Sequence, residues 1–144
     1  MTTIEKIENA AGEVYAVLGY EPDKNYLLMK WIGYCTEEEM KSATLRMLDW
    51  QRGEGRRKGC RFHVHDTKEL EGAWVGIVDW IRNTFFPQCY EAGLCYNISV
   101  LSPDLFSKLS SEVLFQRSTA KVPTLLFETL SQAERWLTAK YREL

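Results

Sequence analysis

The feature that most constrains this chain is a change of hydrophobic period near residue 36. Before it, Glu13-Val14-Tyr15-Ala16-Val17-Leu18-Gly19-Tyr20 and Tyr26-Leu27-Leu28-Met29-Lys30-Trp31-Ile32 are β-branched and aromatic runs separated by Glu21-Pro22-Asp23-Lys24-Asn25. Runs of this composition read as strands. Proline presets φ, and Asp and Asn tolerate turn geometry, so residues 13–32 predict an antiparallel hairpin. After it, helical and strand-like segments alternate to the end.

Thr36-Glu37-Glu38-Glu39 has the form of a capping box, with three acids at the positive end of the helix dipole. Met40, Ala43, Thr44, Met47, Leu48 and Gln51 then share one helical face with Trp50 at its margin, and Gly53 and Gly55 are expected to stop the helix. Arg61-Phe62-His63-Val64-His65 predicts a short strand. From Glu69 the period is helical again: Leu70, Trp74, Ile77, Val78, Ile81 and Phe85 form one stripe ending near Pro87, with Trp80 and Phe86 off it. Tyr96–Leu101 predicts a strand, and Ser102-Pro103 an N-cap with proline at the first helical position. Leu105, Phe106 and Leu109 are expected to face inward. Pro123–Phe127 predicts a last strand, and Ser131-x-x-Glu134 caps a final helix that buries Ala133, Trp136, Leu137 and Tyr141.

The expected order is β-β-α-β-α-β-α-β-α, an α/β fold with a mixed, mainly parallel sheet. Residues 1–144 read as a single domain with its core at about 13–141, without linker or repeat. The 144 residues are 45% hydrophobic, which excludes intrinsic disorder. Eighteen basic against 20 acidic residues exclude a globally basic nucleic-acid binder. No run approaches the ~20 apolar residues of a membrane span, and Met1-Thr2-Thr3-Ile4-Glu5-Lys6 lacks the order of a signal peptide. The expected location is the cytoplasm. Cys35, Cys60, Cys89 and Cys95 form no Cys-x-x-Cys pair and read as free thiols. Only Cys60, after Arg56-Arg57-Lys58, has neighbours able to lower its pKa.

Two stretches resemble the STAS fold, in particular its SpoIIAA-like branch of small bacterial proteins. These are Ser102-Pro103-Asp104-Leu105-Phe106, a strand end leading into a helix, and Phe127-Glu128-Thr129-Leu130-Ser131-Gln132-Ala133-Glu134-Arg135-Trp136-Leu137. Both are packing motifs, so the resemblance implies a STAS-like single domain more firmly than an activity. In anti-sigma-factor antagonists of the wider group, a serine opening the helix after the central strand is phosphorylated. The resemblance places that position at Asp66-Thr67. Lys68-Glu69-Leu70-Glu71 departs from the motif, and its acids oppose an added phosphate. The alternative role for Asp66 or Thr67 is an ordinary N-cap.

His63-Val64-His65 places both imidazoles on one sheet face, an arrangement that can hold a metal. These are the only two histidines, and no third ligand stands at diagnostic spacing. Cys60 and His63 fall on opposite strand faces, there is no nucleophile elbow, and Gly53-Glu54-Gly55 matches no phosphate loop. Arg52, Arg56, Arg57, Lys58 and Arg61 form a basic stretch that suits an anion site or a solvated helix end. Trp80 and Phe86 cover a loop or line a contact. The expectation is therefore a non-catalytic regulatory or protein-interaction module without cofactor. Its surface would comprise Asp66, Thr67, Lys68 and Trp80, and its partner would be another protein or a second copy. The alternatives are a carrier of a small apolar or lipid ligand, and a small hydrolase or metalloenzyme using His63 and His65.

Overall fold

The first strand is one that composition does not announce. β1 (Thr2–Glu8) pairs antiparallel with β2 (Val14–Glu21), which pairs antiparallel with β3 (Tyr26–Tyr34). The computed structural model describes residues 1–119 and 121–143. The hairpin turn is pinned from within: Asn25 sits at φ 52°, accepts from the Tyr20 hydroxyl at 2.6 Å, and donates to the carbonyls of Lys58 and Gly59.

The helix after β3 runs further than its glycines suggest. α1 spans residues 37–58: an α-helix Glu37–Trp50 with the predicted Thr36–Glu39 capping box, a π-helical turn Gln51–Gly55, and a closing turn Arg56–Lys58. All six residues of the predicted stripe are buried. Gly55 does not stop the helix. A Cβ there would stand 2.8 Å from the Gln51 amide, so the glycine makes room for that side chain. The stop is Gly59, at φ 66°.

β4 (Phe62–Glu71) also overruns its expected end and takes in Asp66, Thr67 and Lys68. An irregularity against β3 between Lys30 and Ile32 shifts the register there, so that Leu70 still turns into the core. α2 covers residues 75–91, opening with a 3₁₀ turn Val75–Ile77 and carrying a π turn Ile81–Phe85. Pro87 does not end it. Proline is tolerated because the helix restarts at Phe86, which places Pro87 in a first turn. β5 (Tyr96–Val100), α3 (Leu105–Gln116), β6 (Thr124–Phe127) and α4 (Leu130–Glu143) complete the chain. The N-cap of α3 is Asp104, not Ser102. Asp104 accepts from the amides of Phe106 and Ser107, while the Ser102 hydroxyl is already donated to the Leu70 carbonyl. At α4 the hydroxyl of Thr129, rather than Ser131, accepts from the Gln132 amide.

The sheet runs β1-β2-β3-β4-β5-β6, with β3 to β6 parallel. Strand order never reverses. Right-handed crossovers in one direction put α1, α2 and α3 on the same face, and their buried residues join one cluster with Leu27, Met29 and Trp31. α4 alone covers the other face, packing Ala133 and Leu137 on Tyr26, Phe62, Val64, Ile98 and Val100. Trp136 is only partly buried, edge-on to Phe62 and Tyr96, and Tyr141 is 42% exposed, contrary to expectation.

α3 is turned opposite to the expected sense. Ser107, Ser110, Ser111 and Leu114 face inward. Leu105, Phe106 and Leu109 are 62%, 62% and 47% exposed. The small serines let the helix approach the sheet and α2, and Ser110 Oγ accepts from the Trp74 amide at 2.9 Å.

Candidate functional site

The parity of β4 and β5 carries a polar row into the three-helix face. Phe62 and Val64 point to α4, so His63, His65 and Thr67 point the other way, beside Asn97 and Ser99 of β5. The same-face reading of His63 and His65 holds. Each ring has a different task.

His63 is a structural clamp. The Gln51 amide nitrogen donates to the Cys60 carbonyl at 2.8 Å and to the Ala92 carbonyl at 3.0 Å. Its oxygen must then accept from His63 Nε2, 2.9 Å away, which leaves His63 Nδ1 bare and unpaired. The π turn of α1 delivers that amide. His65 accepts from Trp31 Nε1–H through Nδ1 at 3.1 Å, so its proton stands on Nε2. Burial drives both rings below the usual imidazole range, to about 3 for His63, with help from His65, and to about 4 for His65. Both are neutral at physiological pH.

A cavity of about 30 Å³, the space of about two waters, lies between this row and the helices. Trp31, His65, Thr67, Asn97 and Ser99 form its sheet side; Met40 and Thr44 of α1, Ile81, Phe85 and Phe86 of α2, and Leu114 of α3 form its roof, with Leu70 and Trp74 between. Among the described residues no Lys, Arg, Asp, Glu or Cys lines it. Two of its side chains carry buried polar atoms without a partner. Trp74 Nε1–H has no acceptor, and Asn97, donating through Nδ2 to Thr124 Oγ1 at 3.2 Å, leaves Oδ1 free. Unpaired buried groups are uncommon and costly, about 1–3 kcal/mol each.

The sequence-derived surface does not assemble. Thr67 is 2% exposed and donates to the Val100 carbonyl at 2.5 Å, so it neither opens a helix nor faces a partner. Asp66 and Lys68 flank it on the strand, where Asp66 Oδ1 accepts from the Lys68 amide at 3.1 Å. Trp80 lies apart, stacked on Phe85 with Lys41 over its ring, above a shallow groove against α1. Phe86, expected off the core, is buried in the cavity roof.

The basic stretch disperses. Arg52 donates to Gln88, Arg56 to the Glu91 carbonyl, and Arg57 pairs with Glu54. Lys58 is 3.8 Å from Glu54, and with Arg61 it lines a shallow hollow beside Asn25. Positive charges at the C-terminal end of α1 also suit its dipole. Cys60 is not activated: burial pushes its thiol up to about 11, and Cys35 rises to about 12 for the same reason. Among the described residues no three His, Cys, Asp or Glu side chains gather as metal ligands, and no helix is long and apolar enough to cross a membrane.

Against known proteins, the chain matches no family profile and no curated sequence.

The cavity is the feature that sequence reading missed. Its lining comes from segments spread between Trp31 and Leu114. The one available signal was the run of polar residues at alternate positions, His63, His65, Thr67, then Asn97 and Ser99, in strands otherwise fit for a core.

Proposed function

We propose that this chain is a non-catalytic, STAS-like cytoplasmic module that binds the uncharged polar end of a small, largely apolar molecule in the cavity beneath α2. The observation that carries this reading is the pairing of unsatisfied polar atoms with an uncharged wall. Trp74 Nε1–H and Asn97 Oδ1 offer a donor and an acceptor, and His65 presents a protonated Nε2. Thr44, Thr67 and Ser99 add hydroxyls, and aromatic and aliphatic side chains make up the rest. A hydroxyl, carbonyl or amide end matches that wall; a charged head meets no counter-charge and pays full desolvation.

Several facts favour binding over chemistry. His65 Nδ1 is occupied by Trp31, and both histidines are neutral by burial. The lone pair of His65 Nδ1 is engaged by Trp31, and among the described residues no three His, Cys, Asp or Glu side chains gather around either ring. The likeness to the SpoIIAA-like branch rests on the stretches Ser102–Phe106 and Phe127–Leu137, and bears on the fold rather than the ligand.

Trp31 and Trp74 both line the cavity, so intrinsic fluorescence reports on it. Titration with a neutral short-chain alcohol such as ethanol, whose size suits the space, is expected to give a saturable change that Ser99→Leu, which fills the cavity, abolishes while the protein still melts cooperatively. A linear, non-saturating response in the parent protein, or an identical curve in Ser99→Leu, overturns the reading.

A further inference from the structure

The outward face of α3 is the largest mismatch between side chain and surroundings in the molecule. A helix normally turns its apolar stripe to the core. Here Ser107 and Ser111 are buried with hydroxyls that find no partner, while Leu105, Phe106 and Leu109 stand exposed and Val113 is half-buried on the same side. At 100° per residue, positions 105, 109, 113 and 106 fall within one arc of about a quarter-turn. Contiguous exposed apolar patches beyond a few hundred Å² mark contact surfaces.

The charges beside this arc say what covers it. Lys108 and Glu112 lie along the same flank, one turn apart, and neither takes part in an ion pair with another described residue. When two copies of one helix pack antiparallel about a two-fold axis, each flank faces the same flank of the other. An axis beside Ser110 then sets Lys108 against the partner's Glu112 and Glu112 against the partner's Lys108, with the Leu109 side chains meeting at the centre. The strip is self-complementary in both polarity and charge. A lipid surface would use the apolar arc, but would gain nothing from an acid placed at its margin.

We propose that α3 is a homodimer interface, formed by antiparallel pairing of its Leu105–Phe106–Leu109 face about a two-fold axis and registered by reciprocal Lys108–Glu112 pairs. The α3 helix is about 18 Å long, so the area covered lies at the small end of stable interfaces. The dimer is therefore weak and concentration-dependent. It leaves the interior cavity untouched and does not rest on the ligand reading.

The charge register makes the test specific. Sedimentation velocity of the full chain from about 1 to 500 μM is expected to show a reversible monomer–dimer shift. Lys108→Glu alone and Glu112→Lys alone each set like charges opposite one another, and each should weaken the dimer about tenfold with unchanged melting temperature. Mixed one to one, the two variants should form a heterodimer at least as readily as the parent forms its homodimer, and the double variant K108E/E112K should associate like the parent. Leu109→Ser should abolish association. A parent protein that stays monomeric throughout overturns the proposal, as does a mixture that fails to recover association. A monomer that co-sediments with vesicles of anionic phospholipid through the same leucines also overturns it, in favour of a membrane surface.

Discussion

The two faces of the sheet use the same strands and obey different rules. On the α4 side, Phe62, Val64, Ile98 and Val100 meet Ala133 and Leu137 in an apolar layer, and the buried Tyr26 donates its hydroxyl to Glu134 at 3.1 Å. On the three-helix side, the next residues along the same strands are His63, His65, Asn97 and Ser99, of which His65 is half-buried and the other three are buried. The smaller face is a dry core held by one helix. The larger face has more cover and spends its centre on hydrogen bonds, some of them unmade. Period-two alternation within ten residues of β4 thus divides an apolar layer from a polar one. A one-residue slip of register would exchange them.

Acid separates the faces most strongly. An unfolded histidine titrates near 6.5, whereas burial holds His63 at about 3 and His65 at about 4 in the folded chain. Below pH 6.5 the unfolded chain takes up protons that the folded one refuses. The stability present above about 6.5 is therefore lost as pH falls, and the loss is complete only near the folded values. At ~1.4 kcal/mol per pH unit per histidine, urea midpoints should fall by an amount worth roughly 5 kcal/mol between pH 6.5 and 4.5. His65→Phe should halve that slope. A flat profile across this interval would mean that the rings are not held neutral.

The dry face answers to truncation instead. Phe62→Ala is expected to lose about 3–5 kcal/mol in chemical denaturation, with no change in its pH dependence. A loss under 1 kcal/mol would remove the α4 layer from the core. A smaller effect probes the clamp that supports the polar row. Gly55→Ala puts a methyl against the Gln51 amide and strains its bonds to His63, Cys60 and Ala92. The expected cost is about 1–3 kcal/mol, again by denaturation. A neutral outcome would show that the π turn tolerates a displaced Gln51.

The same parity explains what the sequence reading could reach. The hairpin, the strands at Phe62, Tyr96 and Thr124, and the α1 stripe were legible because one period dominated each. β1 was not, since Thr2-Thr3-Ile4-Glu5-Lys6-Ile7-Glu8 buries only Ile7 and reads as a polar tail. Thr67 was misplaced because Lys68-Glu69-Leu70-Glu71 has helix-forming composition, whereas pairing with β3 and β5 holds it extended. α3 was read with its leucines inward because hydrophobic periodicity gives a stripe but not its direction. Here the serines won, being small enough for close approach.

The outermost strand has a further consequence. β1 presents one side of its backbone to no neighbour in the sheet, and such a rim invites another chain to add itself as a seventh strand. Register irregularities between Thr3 and Glu5 and between Ile7 and Glu8 bend the rim, and Glu5, Lys6 and Glu8 place charges along it. A bent, charged rim is a poor template for fibrillar growth. Copies of this chain that meet through β1 have little to exchange.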